Sequence, residues 1–220
     1  GLPARPILLT FDDGRVDGYL GADEVLAEQG FQATMFVLTI EGARNPAFYM
    51  QWGQIKDAAA SGRWTIQLHA HAGHSRVQVG VDGTGAPIDG SFYGWLRCDP
   101  AGGVACPALE AYLDWRTRSE QDIDTGVSVL ESQLGSTYAP LSFALPYGDY
   151  GPFHSNDAQI SMELKVFLNS RFAVWFTQPS RDPEFMTPSL TNHEVSRFTI
   201  ANTATAESVL AWIAKHRATP

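Results

Sequence analysis

Cysteine and long hydrophobic runs are both scarce in this sequence of 220 residues. The two cysteines, Cys98 and Cys106, have seven residues between them, which is not the spacing of a structural zinc cluster. We favour a disulfide that closes this short loop over two free thiols, and such a bond indicates an oxidising compartment. The apolar runs have the length of single strands, far below the roughly 18 residues that span a bilayer. We therefore expect no membrane insertion of this domain.

Basic residues are also few. The 15 Lys and Arg stand against 24 Asp and Glu, the formal net charge is -9, and no basic run occurs. Binding to nucleic acid requires clustered positive charge, so we expect no nucleic-acid partner. The sequence opens without a charged segment followed by an apolar one, so an exported protein would have lost its signal before this point. The length and the 44% of hydrophobic residues fit a single domain over residues 1–220.

The patterns that are present alternate between strands and helices. Strands are predicted at 7–11, 32–38, 64–68, 141–145, 172–177 and 195–200, and helices at 22–29, 52–61, 123–134 and 206–216. Repeated βα units favour an α/β fold with a mostly parallel sheet, and closure into a barrel would remove the sheet edges. Because active sites in such barrels lie at the carboxyl ends of the strands, the residues after each strand are the first candidates for function.

A segment at about 75–107 interrupts the alternation with Gly, Pro, Asp and aromatic residues. We interpret it as a loop insertion in the domain. A loop of this length without secondary structure is uncommon in a compact domain and is often functional. Its aromatic residues Phe92, Tyr93 and Trp95 either line a substrate groove or pack the loop onto the barrel, and both alternatives stay open.

Carboxylates and histidines follow two of the predicted strands. Asp12 and Asp13 are adjacent at a strand end and point in different directions, so one can bind a metal while the other faces water or substrate. His69, His71 and His74 are half of the six histidines of the chain and lie within six residues. Two imidazoles and one carboxylate form a metal site with open positions for water and substrate. Taken alone, Asp-Asp-Gly is a common turn and a single histidine is more often structural.

A tight turn follows the strand predicted at 141–145. Its residues are Pro146, Tyr147 and Gly148. Such a turn can direct a backbone N–H at an oxyanion while the aromatic ring forms a groove wall. The position at a strand end makes this turn a candidate part of the site.

Three motifs in this order resemble those of the polysaccharide deacetylase family: Thr10–Gly14, the His69–His74 pair and the Pro146–Gly148 turn. This family is also called the NodB-homology domain or carbohydrate esterase family four, and the resemblance covers nearly the whole chain. It implies a distorted (β/α) barrel of about seven mostly parallel strands. It also implies a hydrolase that acts on an acetylated polysaccharide, located extracellularly or in the cell envelope.

The resemblance assigns a metal site and a general base. Asp13, His69 and His74 would bind one divalent metal ion, and Asp12 would take the proton of the attacking water. We expect zinc, although this ligand set also accepts cobalt, nickel or iron. His71 lies between the two histidine ligands, so it could replace either of them or point away.

The resemblance also assigns residues that contact the substrate. The backbone N–H of Tyr147 would stabilise the oxyanion, and the rings of Tyr147 and Trp175 would flank the acetyl methyl beside Pro146. His193, in Leu190-Thr191-Asn192-His193, is the candidate general acid, or else an ordinary loop histidine.

Two departures from the family pattern bear on substrate and mechanism. Many members have an arginine that pairs with the base at the position of Ala144, so something else must orient Asp12. The histidine pair has four intervening residues, as in the branch that deacetylates poly-N-acetylglucosamine exopolysaccharide, and that branch also tends to have a small residue at the position of Ala144.

Three functions are compatible with these residues. The first is removal of N-acetyl groups from an N-acetylglucosamine polymer such as exopolysaccharide, peptidoglycan or a chitin-like glycan. The second is cleavage of O-acetyl esters on a polysaccharide such as xylan. The third is a barrel that binds glycan without turnover, against which the retention of Asp12 argues, because binding alone does not require a base.

Overall fold

The computed structural model describes residues 7–135, 137–151, 155–178 and 193–215. In chain order its strands and helices are β1 (Thr10–Phe11), α1 (Val16–Gln29), β2 (Ala33–Leu38), α2 (Trp52–Ala60), β3 (Trp64–Ala70), β4 (Arg76–Val81), β5 (Pro87–Ser91), α3 (Tyr112–Leu134), β6 (Ser142–Ala144), α4 (Gln159–Arg171), β7 (Val174–Thr177), β8 (Glu194–Ser196) and α5 (Ala206–Lys215). Single 3₁₀ turns or short 3₁₀ helices lie at Glu41–Ala43, Pro100–Ala105 and Pro146–Gly148.

The main sheet has the strand order β1-β2-β3-β6-β7-β8, and each neighbouring pair is parallel. It curls into a half-barrel with helices on its outer side, which confirms the expected distorted (β/α) barrel. The described part of the chain contributes six strands to this sheet, rather than about seven. Because all six strands are parallel, their carboxyl ends meet at one end of the barrel.

Two apolar clusters lie on the two faces of the sheet. The larger cluster fills the space between the sheet and the helices and includes Trp175. The smaller one lies on the opposite, inner face and consists of Phe36, Ala144 and Phe176. Since successive residues of a strand point to opposite faces, Trp175 and Phe176 belong to different clusters.

Helix α4 is the helix that the sequence pattern did not indicate. Its buried positions Ile160, Leu164 and Leu168 have helical spacing, but the exposed Met162 and Val166 are also apolar. The buried and exposed faces of this helix therefore differ little in hydrophobicity, and the sequence shows no clear amphipathic pattern. None of the described helices is long and apolar enough to cross a membrane.

The segment at about 75–107 has secondary structure of its own, contrary to the expected irregular loop. Strands β4 and β5 form an antiparallel hairpin, and the expected disulfide between Cys98 and Cys106 is confirmed. Tyr93 is fully buried, and Phe92 lies under the guanidinium of Arg118 at 4.4 Å from the ring centroid. These two aromatic side chains therefore pack the insertion onto α3.

Candidate active site

Three of the predicted metal ligands meet at the carboxyl end of the sheet. Asp13 follows β1, His69 lies in β3, and His74 lies in the turn after β3. The Nε2 atoms of His69 and His74 are 3.3 and 3.2 Å from Oδ1 of Asp13. One ligand atom from each residue lies within 4.8 Å of the others, which is a suitable geometry for binding one metal ion.

A sharp backbone turn presents the carboxylate of Asp13. Asp13 and Gly14 both have left-handed backbone conformations, with φ of 68° and 64°. A Cβ at position 14 would lie 3.2 Å from Cγ1 of Val37, so this turn requires both the freedom and the small size of glycine. Aspartate is one of the few other residues found in this conformation. The Asp-Asp-Gly motif is therefore a turn that also presents a candidate metal ligand.

The tautomer of His69 follows from its contact with Ala144. Its Nδ1 is 2.6 Å from the carbonyl oxygen of Ala144, and the side chain is 2% exposed. Because a carbonyl only accepts hydrogen bonds, Nδ1 carries the proton. In a neutral ring the lone pair of Nε2 then faces Asp13, which is the orientation that metal-binding histidines have when a backbone carbonyl holds the other nitrogen.

The charge and protonation states of this cluster match a bound cation. Burial opposes ionisation of Asp13, but its contacts with His69 and His74 lower its pKa below the usual value. Burial, with a further contribution from His69, lowers the pKa of His74. These two shifts favour an ionised Asp13 carboxylate and a neutral His74 imidazole. Oδ1 of Asp13 is buried and accepts no hydrogen bond within the described residues, so a metal ion would supply its missing partner.

His71 is directed away from this cluster. Its Nδ1 lies 2.9 Å from Oγ1 of Thr39, and the group of potential ligands includes His69 and His74 but not His71. Of the alternatives for His71, the geometry supports the one in which it points away from the metal site.

Arg197 holds the carboxylate of Asp12 from the far edge of the sheet. Its Nη1 and Nη2 donate to Oδ1 and Oδ2 of Asp12 at 2.7 and 2.6 Å, and Nη1 lies 3.1 Å from Oγ1 of Thr10. The Arg197 side chain is 8% exposed, and its guanidinium lies over the rings of Phe36 and Phe176 at 5.5 and 5.6 Å. Arg197 therefore connects the ends of β8 and β1 and orients Asp12 by a bidentate ion pair.

Tyr147 forms one wall of the site. It has a left-handed backbone with φ of 59°, and its hydroxyl donates to the carbonyl oxygen of His74 at 2.8 Å. Its ring centroid lies 4.6 Å from that of His74, and the Arg76 guanidinium lies 4.6 Å from the same ring. The Tyr147 side chain is partly exposed, whereas Pro146 is buried and shapes the turn without offering a surface to substrate.

Trp175 does not reach the site, contrary to its expected contact with the acetyl group. It is fully buried between the sheet and α4, and its Nε1 donates to Oδ1 of Asn169 at 2.8 Å. The side chain of the next residue, Phe176, faces the inside of the barrel instead. The predicted strand is present, but Trp175 lies on its outer face.

His193 lies at the opposite end of the sheet from the triad. It precedes β8, and its Nδ1 donates to the carbonyl oxygen of Phe172, which precedes β7. Arg197, at the carboxyl end, comes four positions after His193, which is about 13 Å of extended chain. This placement does not support the expected general-acid role. The other residues of that motif, 190–192, lie outside the described residues.

We expect His193→Ala to retain near wild-type kcat and KM, because the imidazole is distant from the triad. The lost hydrogen bond to Phe172 should lower the free energy of unfolding by about 1 kcal/mol. Steady-state kinetics and thermal unfolding check both values. A fall in kcat of about 10²-fold or more would contradict this prediction, since it is the size of effect expected for a general acid.

Comparison of the sequence with models of known protein families identifies the family of this chain. A model of the family described as polysaccharide deacetylase matches residues 1–164. The chain belongs to the polysaccharide deacetylase family. Membership implies a hydrolase that acts on polysaccharide, and it confirms the resemblance inferred from the motifs.

Solved structures include several deacetylases of similar fold. A de-N-acetylase from Aggregatibacter actinomycetemcomitans has a TM-score of 0.70 at 15% identity, over 96% of this chain and 76% of that one. The BpsB deacetylase domain from Bordetella bronchiseptica has a TM-score of 0.65 at 26% identity, over 89% of this chain and 72% of that one. IcaB from Ammonifex degensii has a TM-score of 0.62 at 23% identity, over 96% of this chain and 74% of that one. No curated protein matches the sequence.

The contact between Arg197 and Asp12 was not predicted, for a specific reason. The strand predicted at 195–200 places Arg197 in its middle, whereas β8 ends at Ser196. If the strand end had been placed correctly, an arginine directly after it would have been a candidate partner for Asp12, since position 144 is alanine. The distance in sequence from Asp12 conceals the contact.

Proposed function

We propose that this deacetylase is a metal-dependent enzyme that removes N-acetyl groups from an N-acetylglucosamine-containing polysaccharide outside the cytoplasm. The observation that carries the proposal is the buried, unpartnered Oδ1 of Asp13 facing two imidazoles, directly beside a second carboxylate held by Arg197. The four-residue spacing of the histidine pair supports an N-acetylglucosamine polymer as substrate. The disulfide supports an oxidising compartment.

Asp13, His69 and His74 would hold one divalent metal ion, with zinc as the expected ion. When bound, this ion supplies a Lewis acid that polarises the acetyl carbonyl and activates water. The buried contact between His69 and Ala144 would keep this imidazole in the tautomer that leaves Nε2 free for the metal.

Asp12 is the general base in this mechanism. It takes one proton from the attacking water, and Arg197 keeps both of its oxygens in a defined orientation during that step. The backbone N–H of Tyr147 stabilises the oxyanion that forms as water adds to the acetyl carbon. The Tyr147 ring, partly exposed beside His74, provides an apolar surface for the acetyl methyl.

The leaving amine needs a proton when the carbon–nitrogen bond breaks. His193 lies at the other end of the barrel, so among the described residues Asp12 is the group placed to return the proton that it took from water. The balance is then complete: water contributes its hydroxyl to acetate and its proton to the amine. One carboxylate thus acts first as base and then as acid.

Acetate release tests the proposal. The chelated protein, with and without added zinc or cobalt, is incubated with N-acetylglucosamine oligomers, with acetylated xylan and with an aryl acetate ester. We expect release from the amide substrates that depends on the added metal. Release from the esters alone would instead identify an O-acetyl esterase, and a protein that binds metal and these glycans without releasing acetate would identify a binding barrel.

A further inference from the structure

Asp122, in the middle of α3, accepts hydrogen bonds from the loop that joins the two histidine ligands. Its Oδ2 accepts from the backbone N–H of His71 at 2.9 Å, and its Oδ1 accepts from the backbone N–H of Ala72 at 2.8 Å. These two residues lie between His69 and His74. A single carboxylate on a helix therefore holds the backbone of this loop at two consecutive positions.

The insertion provides a third contact to the same carboxylate. The hydroxyl of Tyr93 donates to Oδ2 of Asp122 at 2.5 Å. Tyr93 is fully buried, and its backbone oxygen accepts from Nε1 of Trp115, also on α3, at 2.9 Å. Burial, reinforced by Asp122, keeps the pKa of Tyr93 well above its usual value, so the phenol remains a donor.

Gly73 completes the close packing of this loop. A Cβ at position 73 would lie 2.5 Å from the Tyr93 hydroxyl oxygen, so the backbone approaches Tyr93 too closely for any side chain. The loop is thus confined between α3, which supplies Asp122, and the insertion, which supplies Tyr93.

The two histidine ligands are held in different ways. His69 lies in β3 and is buried against the carbonyl oxygen of Ala144. His74 lies beyond the strand with its side chain 29% exposed, so its position depends on the path of the loop before it. A ligand held in place before the metal arrives loses less conformational entropy on binding, which raises affinity.

We propose that Asp122 is a positioning residue that sets the metal affinity of the site by holding the 71–73 loop in the path that presents His74 to Asp13. The inference rests on the proposed metal-dependent function. Through its hydrogen bond to Asp122, Tyr93 also links the insertion to the proposed metal site.

Metal titration of the whole chain tests this inference. After chelation, the wild type and Asp122→Asn are titrated with cobalt and with zinc, and the cobalt absorption spectrum reports the ligand geometry. The asparagine keeps the side-chain volume but has one acceptor oxygen for three donors. We expect the Kd to rise by roughly 10- to 100-fold, the effect typical of residues that support metal ligands, with an altered cobalt spectrum.

Asp124→Asn is the matched control. Asp124 lies on the same helix and forms an exposed ion pair with Arg171 at 2.6 Å, away from the loop. Its substitution should leave the Kd and the spectrum unchanged. Thermal unfolding of the metal-free proteins separates lost stability from lost affinity, since the titrations are made well below each unfolding midpoint.

Gly73→Ala is a second, independent variant that keeps the inference testable if Asp122→Asn does not fold. Its Cβ should displace the loop from Tyr93 and raise the Kd in the same direction. Wild-type affinity and spectrum in folded Asp122→Asn or folded Gly73→Ala would overturn the inference while leaving the proposed function intact. A wild-type chain that binds neither metal would overturn the proposed function itself.

Discussion

Asp13→Ala and His69→Ala are each expected to abolish stoichiometric binding of a divalent metal ion, and with it acetate release. Each substitution removes one of three ligands whose coordinating atoms lie within 4.8 Å of one another. Two remaining protein ligands hold the ion much more weakly, and loss of Asp13 also removes the negative charge that neutralises it. Metal content after dialysis and acetate release with added zinc measure the two effects.

The matched control for these variants is His71→Ala. His71 lies two residues from His69 but faces Thr39, so its removal should leave the metal stoichiometry at one ion per chain. If His71→Ala lost the metal while His69→Ala kept it, the assignment of the ligands would be wrong.

Asp12→Asn is expected to retain the metal ion but to lower kcat by about 10²- to 10⁴-fold, the range for loss of a general acid–base group. The amide keeps nearly the same shape, but its oxygen is too weakly basic to take a proton from water. Metal content and kcat, measured on the same preparation, check this prediction. Unchanged activity in Asp12→Asn would show that another group is the base.

Arg197→Lys extends this prediction to the residue that orients the base. Lysine keeps the positive charge but cannot donate to both oxygens of Asp12 in the planar arrangement of a guanidinium. We expect a lower kcat with unchanged metal content. Arg63→Lys is the matched control, since Arg63 forms a bidentate pair with Asp23 through Nε and Nη2 at 3.0 and 2.8 Å, away from the triad.

If Arg63→Lys and Arg197→Lys lowered kcat equally, the effect would be one of general stability rather than of orientation. The comparison matters because Arg197 also connects β8 to Thr10 of β1. Unfolding midpoints of both variants therefore accompany the kinetic measurement.

Arg197 shows how the site is completed without an arginine at position 144. Ala144 contributes only its backbone oxygen, which fixes the tautomer of His69, and its small side chain belongs to the inner cluster with Phe36 and Phe176. The Arg197 guanidinium lies over these same two rings and reaches Asp12 from β8. Asp12, the proposed base, is thus oriented by the residue that follows the last strand of the sheet.

Much of the site was predictable because its residues come directly after strands. Asp12 and Asp13 follow β1, and Tyr147 follows β6. Parallel strands in a barrel bring such positions to the same end whatever the detailed packing. The local patterns Asp-Asp-Gly and Pro-Tyr-Gly also specify their own turns, so neither the motifs nor their shared location needed tertiary information.

The parts that were not predictable depend on strand ends and strand faces. Trp175 and Phe176 are equally apolar, and a shift of one residue exchanges the inner and outer faces of a strand. The pattern at 172–177 therefore predicts a strand but not which ring faces the site. In the same way, the strand predicted at 195–200 ends four residues later than β8 does. The predicted end therefore gave no indication that Arg197 lies at the carboxyl end of the sheet and His193 at the opposite end.

The family, the βα alternation and the residue types of the candidate metal site follow from the sequence alone, because local motifs and their order encode them. Three contacts required the folded structure: His71 turns to Thr39, Arg197 pairs with Asp12, and Asp122 holds the histidine loop. These contacts join residues 32 to 185 positions apart. They depend on how the sheet closes and on where α3 packs, which no local pattern encodes.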